Sequence, residues 1–210
     1  MIIHKVEVGE LATNCYVVIC SQTKKSFIID PGGDLDKIKR LSKDTYPIFI
    51  MNTHGHIDHI KENQELKKQY GLKVLIHKDD AFMLEDANLN LSSYIWGKNV
   101  ILSPADKLIE GGDILEVGKL KVQVYHTPGH SFGGVCFLVE NQNGDKALFT
   151  GDTLFASSIG RTDLYGGSFS CLIKSIKEKI LVFEDNLTIY PGHGPTTKVG
   201  IEKANNPYVK

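Results

Sequence analysis

Within six residues, His54-Gly55-His56-Ile57-Asp58-His59, three imidazoles and one carboxylate offer four possible ligands for a divalent cation. The apolar run 47–51 just before them reads as a buried strand, so the cluster hangs from a strand end. Three imidazoles repel one another once protonated, and burying their charge costs desolvation. A bound cation is the simplest physical reason to hold them together.

Three more candidates occur in similar settings. Expected strands at 120–127, 147–150 and 187–190 run out into Thr127-Pro128-Gly129-His130, Gly151-Asp152 and Pro191-Gly192-His193. Each turn carries a glycine, which lets the backbone pass close to a metal and take positive φ without penalty. Loops at one rim of a sandwich can converge on one point. The candidate set is then His54, His56, Asp58, His59, His130, Asp152 and His193. Seven ligands are too many for one tetrahedral zinc and suit two metals sharing one carboxylate. Imidazole with carboxylate suits zinc, and the same ligands accept iron or manganese. The lack of a cysteine among them speaks against a closed structural site. In an extended segment His54 and His56 project to one side and can grip one ion. Asp58 and His59 begin a helix and turn toward a second position, where the helix N-terminus favours an ionised Asp58.

The elements that must carry these residues are legible in outline. Residues 2–8, 13–20 and 25–30 read as an antiparallel meander, rich in Val and Ile. Asp34 is placed to cap a helix whose Leu35, Ile38 and Leu41 recur at helical spacing. Strand 47–52 delivers the histidines, and one polar helix over 59–70 ends at Gly71. A strand at 74–77 and a helix at 79–86 follow, then an irregular stretch over 87–105. Hairpins are expected over 113–126, turning at Gly118, and over 134–150, turning at Asn143-Gly144. A helix over 168–183 shows Phe169, Leu172, Ile173, Ile176 and Ile180 on one face. The last strand, 187–191, leads to a short helix near 198–205. Strands then helices, twice over, predict an α+β chain with two packed sheets and helices on the outer faces, one domain over 1–210.

Bulk properties narrow the partners. With 24 basic and 25 acidic residues the formal charge is −1, and only Arg40 and Arg161 are arginines, which disfavours nucleic acid as a partner. No apolar run reaches membrane-spanning length, and 1–5 carries no secretory pattern. Cys15, Cys20, Cys136 and Cys171 are widely spaced in apolar settings and read as reduced core residues, so the expected location is cytoplasmic. His4, His77 and His126 lie in or beside expected strands and read as structural. Tyr94, Ile95 and Trp96 either wall a pocket or plug the core beneath the irregular stretch, the second being the favoured reading. Arg161 either pairs with Asp163 or faces an anionic substrate.

The pattern His-x-His-x-Asp-His, followed by separate His, Asp and His, resembles the metallo-β-lactamase superfamily, and within it the glyoxalase II-like hydroxyacylglutathione hydrolases. The similarity runs through Asp30-Pro31-Gly32, Thr127-Pro128-Gly129-His130, Thr150-Gly151-Asp152, Gly160-Arg161-Thr162-Asp163 and Pro191-Gly192-His193-Gly194-Pro195. Tyr165 stands where many such relatives carry proline. The resemblance implies an αββα sandwich in which His54, His56 and His130 bind one metal and Asp58, His59 and His193 the other. Asp152 would bridge both, Asp58 and Asp152 would be the catalytic carboxylates, and Asp30 would hold a ligand histidine from behind. Arg161 and Asp163 are candidates for substrate contact.

The implied activity is hydrolysis of a small-molecule thioester, an S-acylglutathione such as lactoylglutathione, by a hydroxide bridging two ions, zinc above all. The helical domain with which larger glyoxalase II enzymes grip glutathione is not expected, because the chain stops soon after Asn206-Pro207-Tyr208. A competing reading is a mononuclear iron oxidoreductase like the persulfide dioxygenases, with His54, His130 and Asp152 as its triad. Lactonases share the scaffold but resemble the loops after Asp152 less. A non-catalytic scaffold is disfavoured by the complete ligand set.

Overall fold

A computed structural model describes residues 1–210. The first sheet takes its strands in chain order: β1 (Ile2–Val8), β2 (Thr13–Ile19), β3 (Lys25–Ile29), β4 (Tyr46–Met51), β5 (Lys73–His77) and β6 (Lys107–Ile109). The first two pairings are antiparallel and the next three parallel. The second sheet is built from β7 (Ile114–Val117), β8 (Leu120–His126), β9 (Val135–Glu140), β10 (Lys146–Gly151), β13 (Thr188–Pro191) and β14 (Thr197–Lys198). All its pairings are antiparallel except that of β10 with β13. Between them, β11 (Leu154–Phe155) and β12 (Ser158–Ile159) form a small separate ribbon.

Alternation of side chains makes the layers. In β2, Tyr16 and Val18 face the second sheet, while Cys15, Val17 and Ile19 face the helices α1 (Leu35–Ser42) and α3 (Asn63–Tyr70). In β9, Val135, Phe137 and Val139 face inward, while Cys136 and Leu138 meet α5 (Phe169–Ser175). The inter-sheet core joins 18 buried residues, and two further cores of 10 and 11 residues lie under the helices on either side. Each fully buried Ile, Leu, Val or Phe contributes roughly 1.5–3 kcal/mol of transfer energy, so three such layers hold the sheets in fixed register. The result is the expected αββα sandwich of two mixed sheets.

Local departures have physical causes. The helix expected over 59–70 is two, α2 (Ile57–Ile60) and α3. The His59 carbonyl accepts from the Asn52 side chain at 3.2 Å, and Asn52 is itself paired with buried Asn63. Asp34 does not cap α1: its backbone is left-handed (φ 51°), and its carboxylate accepts from Gly9 N–H and Lys37 instead. The segment Ala81–Glu85 is a tight 3₁₀ turn, and 87–105 contains the short helix α4 (Ser92–Trp96). The helix at 168–183 is α5 continued by a wider turn over Ile176–Ile180, and Phe169 at its start is exposed rather than core-facing. The chain closes with α6 (Val199–Asn205).

At one rim the two sheets are stitched together. Asn14 N–H donates to Gly192 O at 2.7 Å, Tyr16 hydroxyl to Pro191 O at 2.7 Å, and Val135 N–H to Thr53 O at 2.8 Å. The loops after β4, β8, β10 and β13 meet there. No helix of the chain is long and apolar enough to cross a membrane.

Candidate metal centre

All seven expected ligands converge at this rim. His54 Nε2 and His56 Nδ1 lie 3.3 and 3.0 Å from His130 Nε2. Asp58 Oδ2 lies 3.3 Å from both His59 Nε2 and His193 Nε2. Asp152 reaches both groups: Oδ1 is 3.4 Å from His59 Nε2, and Oδ2 is 3.6 Å from the Nε2 atoms of His130 and His193. A tetrahedral ion with bonds of about 2.0–2.1 Å sets its ligand atoms roughly 3.4 Å apart, so these separations fit two adjacent ions. His54, His56, Asp58, His59 and His130 are buried.

Hydrogen bonds behind the ring dictate which nitrogen faces inward. His130 Nδ1 donates to Arg161 O at 2.8 Å, and His193 Nδ1 to Leu11 O at 3.1 Å. His59 Nδ1 donates to Asp30 Oδ2 at 3.0 Å. Thr53 gives its only hydroxyl proton to Asp30 at 2.6 Å, so it must accept from His54 Nδ1 at 3.1 Å. Each of these four rings therefore turns its Nε2 atom toward the centre. His59 Nε2 and Asp152 Oδ1 are buried with no hydrogen-bond partner, the mark of atoms that take a cation.

Electrostatics agree. Burial, then the neighbouring histidines, hold His54 and His56 well below the usual imidazole range, leaving them neutral. Burial opposes a charge on Asp58, but His59 and His193 outweigh it and hold the carboxyl well below its usual range. Burial also opposes a charge on His59, yet Asp58, Asp152 and Asp30 push it well above. Three carboxylates around one imidazole form a pit of negative charge that a divalent ion neutralises.

Sequence reasoning missed several supports. Thr13 Oγ1 donates to Asp58 Oδ2 at 2.8 Å. Buried Asp80 accepts from Gly55 N–H at 3.1 Å, Ser131 Oγ at 2.7 Å and Gly133 N–H at 2.6 Å, tying the His54–His56 loop to that of His130. Neither residue stands in a recognisable motif; only the fold brings them to the site. Arg161 makes a bidentate pair with Asp163 at 2.7 and 2.8 Å and also lines a cavity of about 500 Å³ with Asn88, Leu91, Ser93, Tyr94 and Leu164. Tyr94 is thus a cavity wall rather than a core plug, whereas Ile95 and Trp96 do pack on the core around Ile57 and Ile60. A third cluster, His77, Asp79 and His126, holds stacked rings 4.1 Å apart and 14° from parallel, whose lone pairs run side by side instead of meeting. His77 Nδ1 accepts from Asp79 N–H, and His126 Nε2 donates to Phe132 O.

The αββα fold and a His/Asp centre for divalent metal define the class: the chain belongs to the metallo-beta-lactamase superfamily, whose family model matches residues 8–193. Among its relatives, hydroxyacylglutathione hydrolase GloC of Haemophilus influenzae is 32% identical, over 100% of this chain and 98% of that protein. The crystal structure of BLEG-1 B3 metallo-beta-lactamase superposes with a TM-score of 0.92 at 36% identity, covering 99% of both chains. The structure of TTHA1623 in a di-iron-bound form superposes at 0.83 with 32% identity, covering 98% of this chain and 99% of that one.

Proposed function

We propose that the chain hydrolyses a small-molecule thioester of the S-acylglutathione type, with two divalent cations, zinc foremost, as cofactors. The observation that carries the two-ion reading is Asp152, within 3.4–3.6 Å of His59, His130 and His193 and so shared between two complete ligand sets. The thioester reading is supported by the similarity to GloC over the full chain.

Bound there, two divalent cations supply Lewis acidity and lower the pKa of water to about 7. The protein's part is positioning. His54, His56 and His130 would hold one ion through their ring nitrogens; Asp58, His59 and His193 would hold the other. Asp58 stays ionised, braced by Thr13, and would orient a water by accepting its hydrogen bond. The cavity lined by Arg161, Asp163, Asn88, Ser93 and Tyr94 offers charged and polar contacts to the thiol carrier. No thiolate competes as nucleophile at Cys15 or Cys136, since burial pushes the first well up and the second to about 11.

Metal quantification on the purified protein, beside assays of S-lactoylglutathione, a persulfide and a lactone, tests this. We expect two ions per chain and thioester hydrolysis, both reduced in Asp152→Ala. One iron per chain with O₂ uptake on the persulfide would move the assignment to a dioxygenase.

A further inference from the structure

Three aromatic side chains stand exposed on segments tied to the loops of the candidate metal ligands. Phe82 is 41% exposed, Phe132 49% and Tyr165 57%, and the rings meet edge to face, 6.4 Å from Phe82 to Tyr165 and 5.5 Å from Phe132 to Tyr165. They come from three separate segments, each anchored to the metal loops. Ser131 and Gly133, on either side of Phe132, both bond to Asp80, as does Gly55 between His54 and His56. Phe82 follows Asp80 by two residues, and the Phe132 carbonyl is held by His126. Tyr165 lies four residues after Arg161, whose carbonyl orients His130. Beside it, Gly166 (φ +82°) leaves room for the Phe132 ring, which a Cβ would meet at 2.9 Å. A contiguous apolar patch on a fixed backbone beside a catalytic centre marks a binding surface.

We infer that this rim receives the acyl half of the substrate, and that the preferred acyl group carries an aryl ring. This deepens the thioester reading and rests on it. The loop 161–167 separates two unlike places: Arg161 and Asp163 bring an ion pair to the cavity they line with Leu164, while Tyr165 joins the aromatic rim. A thioester has two halves flanking its carbonyl. The ion pair, the Asn88 amide and the Ser93 hydroxyl of the cavity suit a polar peptide-like thiol, which leaves the apolar rim for the acyl group. An aryl acyl group completes the edge-to-face arrangement that Tyr165 already makes with Phe132 and Phe82. A lactoyl group, small and hydroxylated, gains nothing from these rings.

Two readouts test the rim on the metal-loaded protein. The first is the ratio of kcat/KM for S-(3-phenylpropanoyl)glutathione over S-lactoylglutathione. The second is the ratio of calorimetric affinities for the corresponding carboxylates, 3-phenylpropanoate over lactate, which needs no turnover. We expect both ratios to be about 10 or more in the native protein. Both should fall at least about fivefold in Phe132→Ala and Tyr165→Ala and survive in Tyr165→Phe, which keeps the ring. A native ratio near 1, or ratios untouched by either alanine, overturns the proposal, including the case where the variants instead lose adhesion to lipid vesicles. If no thioester is hydrolysed but the carboxylate preference and its loss are seen, the thioester reading falls and the aromatic rim stands.

Discussion

Gly192 approaches Asp152 so closely that a Cβ on the glycine would lie 2.2 Å from Asp152 Oδ1 and 2.9 Å from His59 Cε1. The Asp152 carboxylate and the His59 imidazole, both candidate metal ligands, are therefore seated against bare backbone. Gly192→Ala must push one of them aside. We expect metal affinity to fall roughly 10–100-fold, as for loss of a partner that orients a ligand. The control is Gly194→Ala, where φ is +74° but no atom lies within 4 Å. That change costs ~1–2 kcal/mol of backbone strain and should leave metal stoichiometry intact. Equal metal content in both variants, read by atomic emission after dialysis, would refute the steric account.

Asp80 joins the two loops of the His54, His56 and His130 set through three hydrogen bonds while fully buried. Burial raises its pKa, and the Ser131, Gly133 and Gly55 donors pull it back down. Asp80→Asn turns a donor toward at least one of those N–H or O–H groups. Urea unfolding should show a loss of about 1–3 kcal/mol, the cost of stranding a buried polar group. One of the two ions should also weaken while the other stays bound. A variant as stable as the parent would mean that these loops are held in place by other contacts.

The seven candidate ligands were legible because they are side chains of the right type, either crowded within six residues or set in glycine-bearing turns just after strands whose apolar pattern is strong. The sheets were legible because 13–19 and 135–140 are apolar runs bounded by turn residues; being buried on both faces, they left the face of each side chain to the fold. Thr13 and Asp80 were not, because a single Thr or Asp has no local pattern and acquires its partner only across 45 and 51 residues of chain, to Asp58 and Ser131. Helix ends failed where side chains took the backbone's bonds, as Asn52 does at His59 O. The short strands β6, β11, β12 and β14 span two or three residues each, too few for periodicity to register.

Asp30 sits in a left-handed conformation (φ 50°) and receives Thr53 N–H at 2.8 Å, Thr53 Oγ1 and His59 Nδ1. Asparagine tolerates that backbone, so Asp30→Asn changes the chemistry without changing the turn. Its amide group faces His59 Nδ1 as a donor, which drives the imidazole proton to Nε2 and blocks the lone pair aimed at the centre. The ion held by Asp58, His59 and His193 should bind roughly 10–100-fold more weakly, with the other little altered. Cobalt titration followed by absorption spectroscopy separates the two. Two unchanged binding steps would show that Asp30 does not set the tautomer.

His77 links acidity to stability away from the centre. Burial, then the charge of the stacked His126, lowers its pKa from 6.5 to about 4. Its Nδ1 also accepts the Asp79 N–H, which a protonated ring cannot do. In the unfolded chain His77 takes up its proton near 6.5, whereas in the folded chain it stays neutral until about 4. The unfolded state thus binds more protons between these values, and stability present above pH 6.5 is lost as the pH falls toward 4. Between pH 7 and 5, with solvent screening reducing the effect, this one group accounts for about 1 kcal/mol of destabilisation. Urea unfolding of the chelator-treated protein measures it against His77→Phe, which stacks on His126 without titrating. The missing Asp79 bond in that variant is constant with pH and cancels from the comparison. The native protein should lose about 1 kcal/mol more than the variant over this interval; equal losses would show that His77 is protonated in the folded state as easily as in the unfolded one.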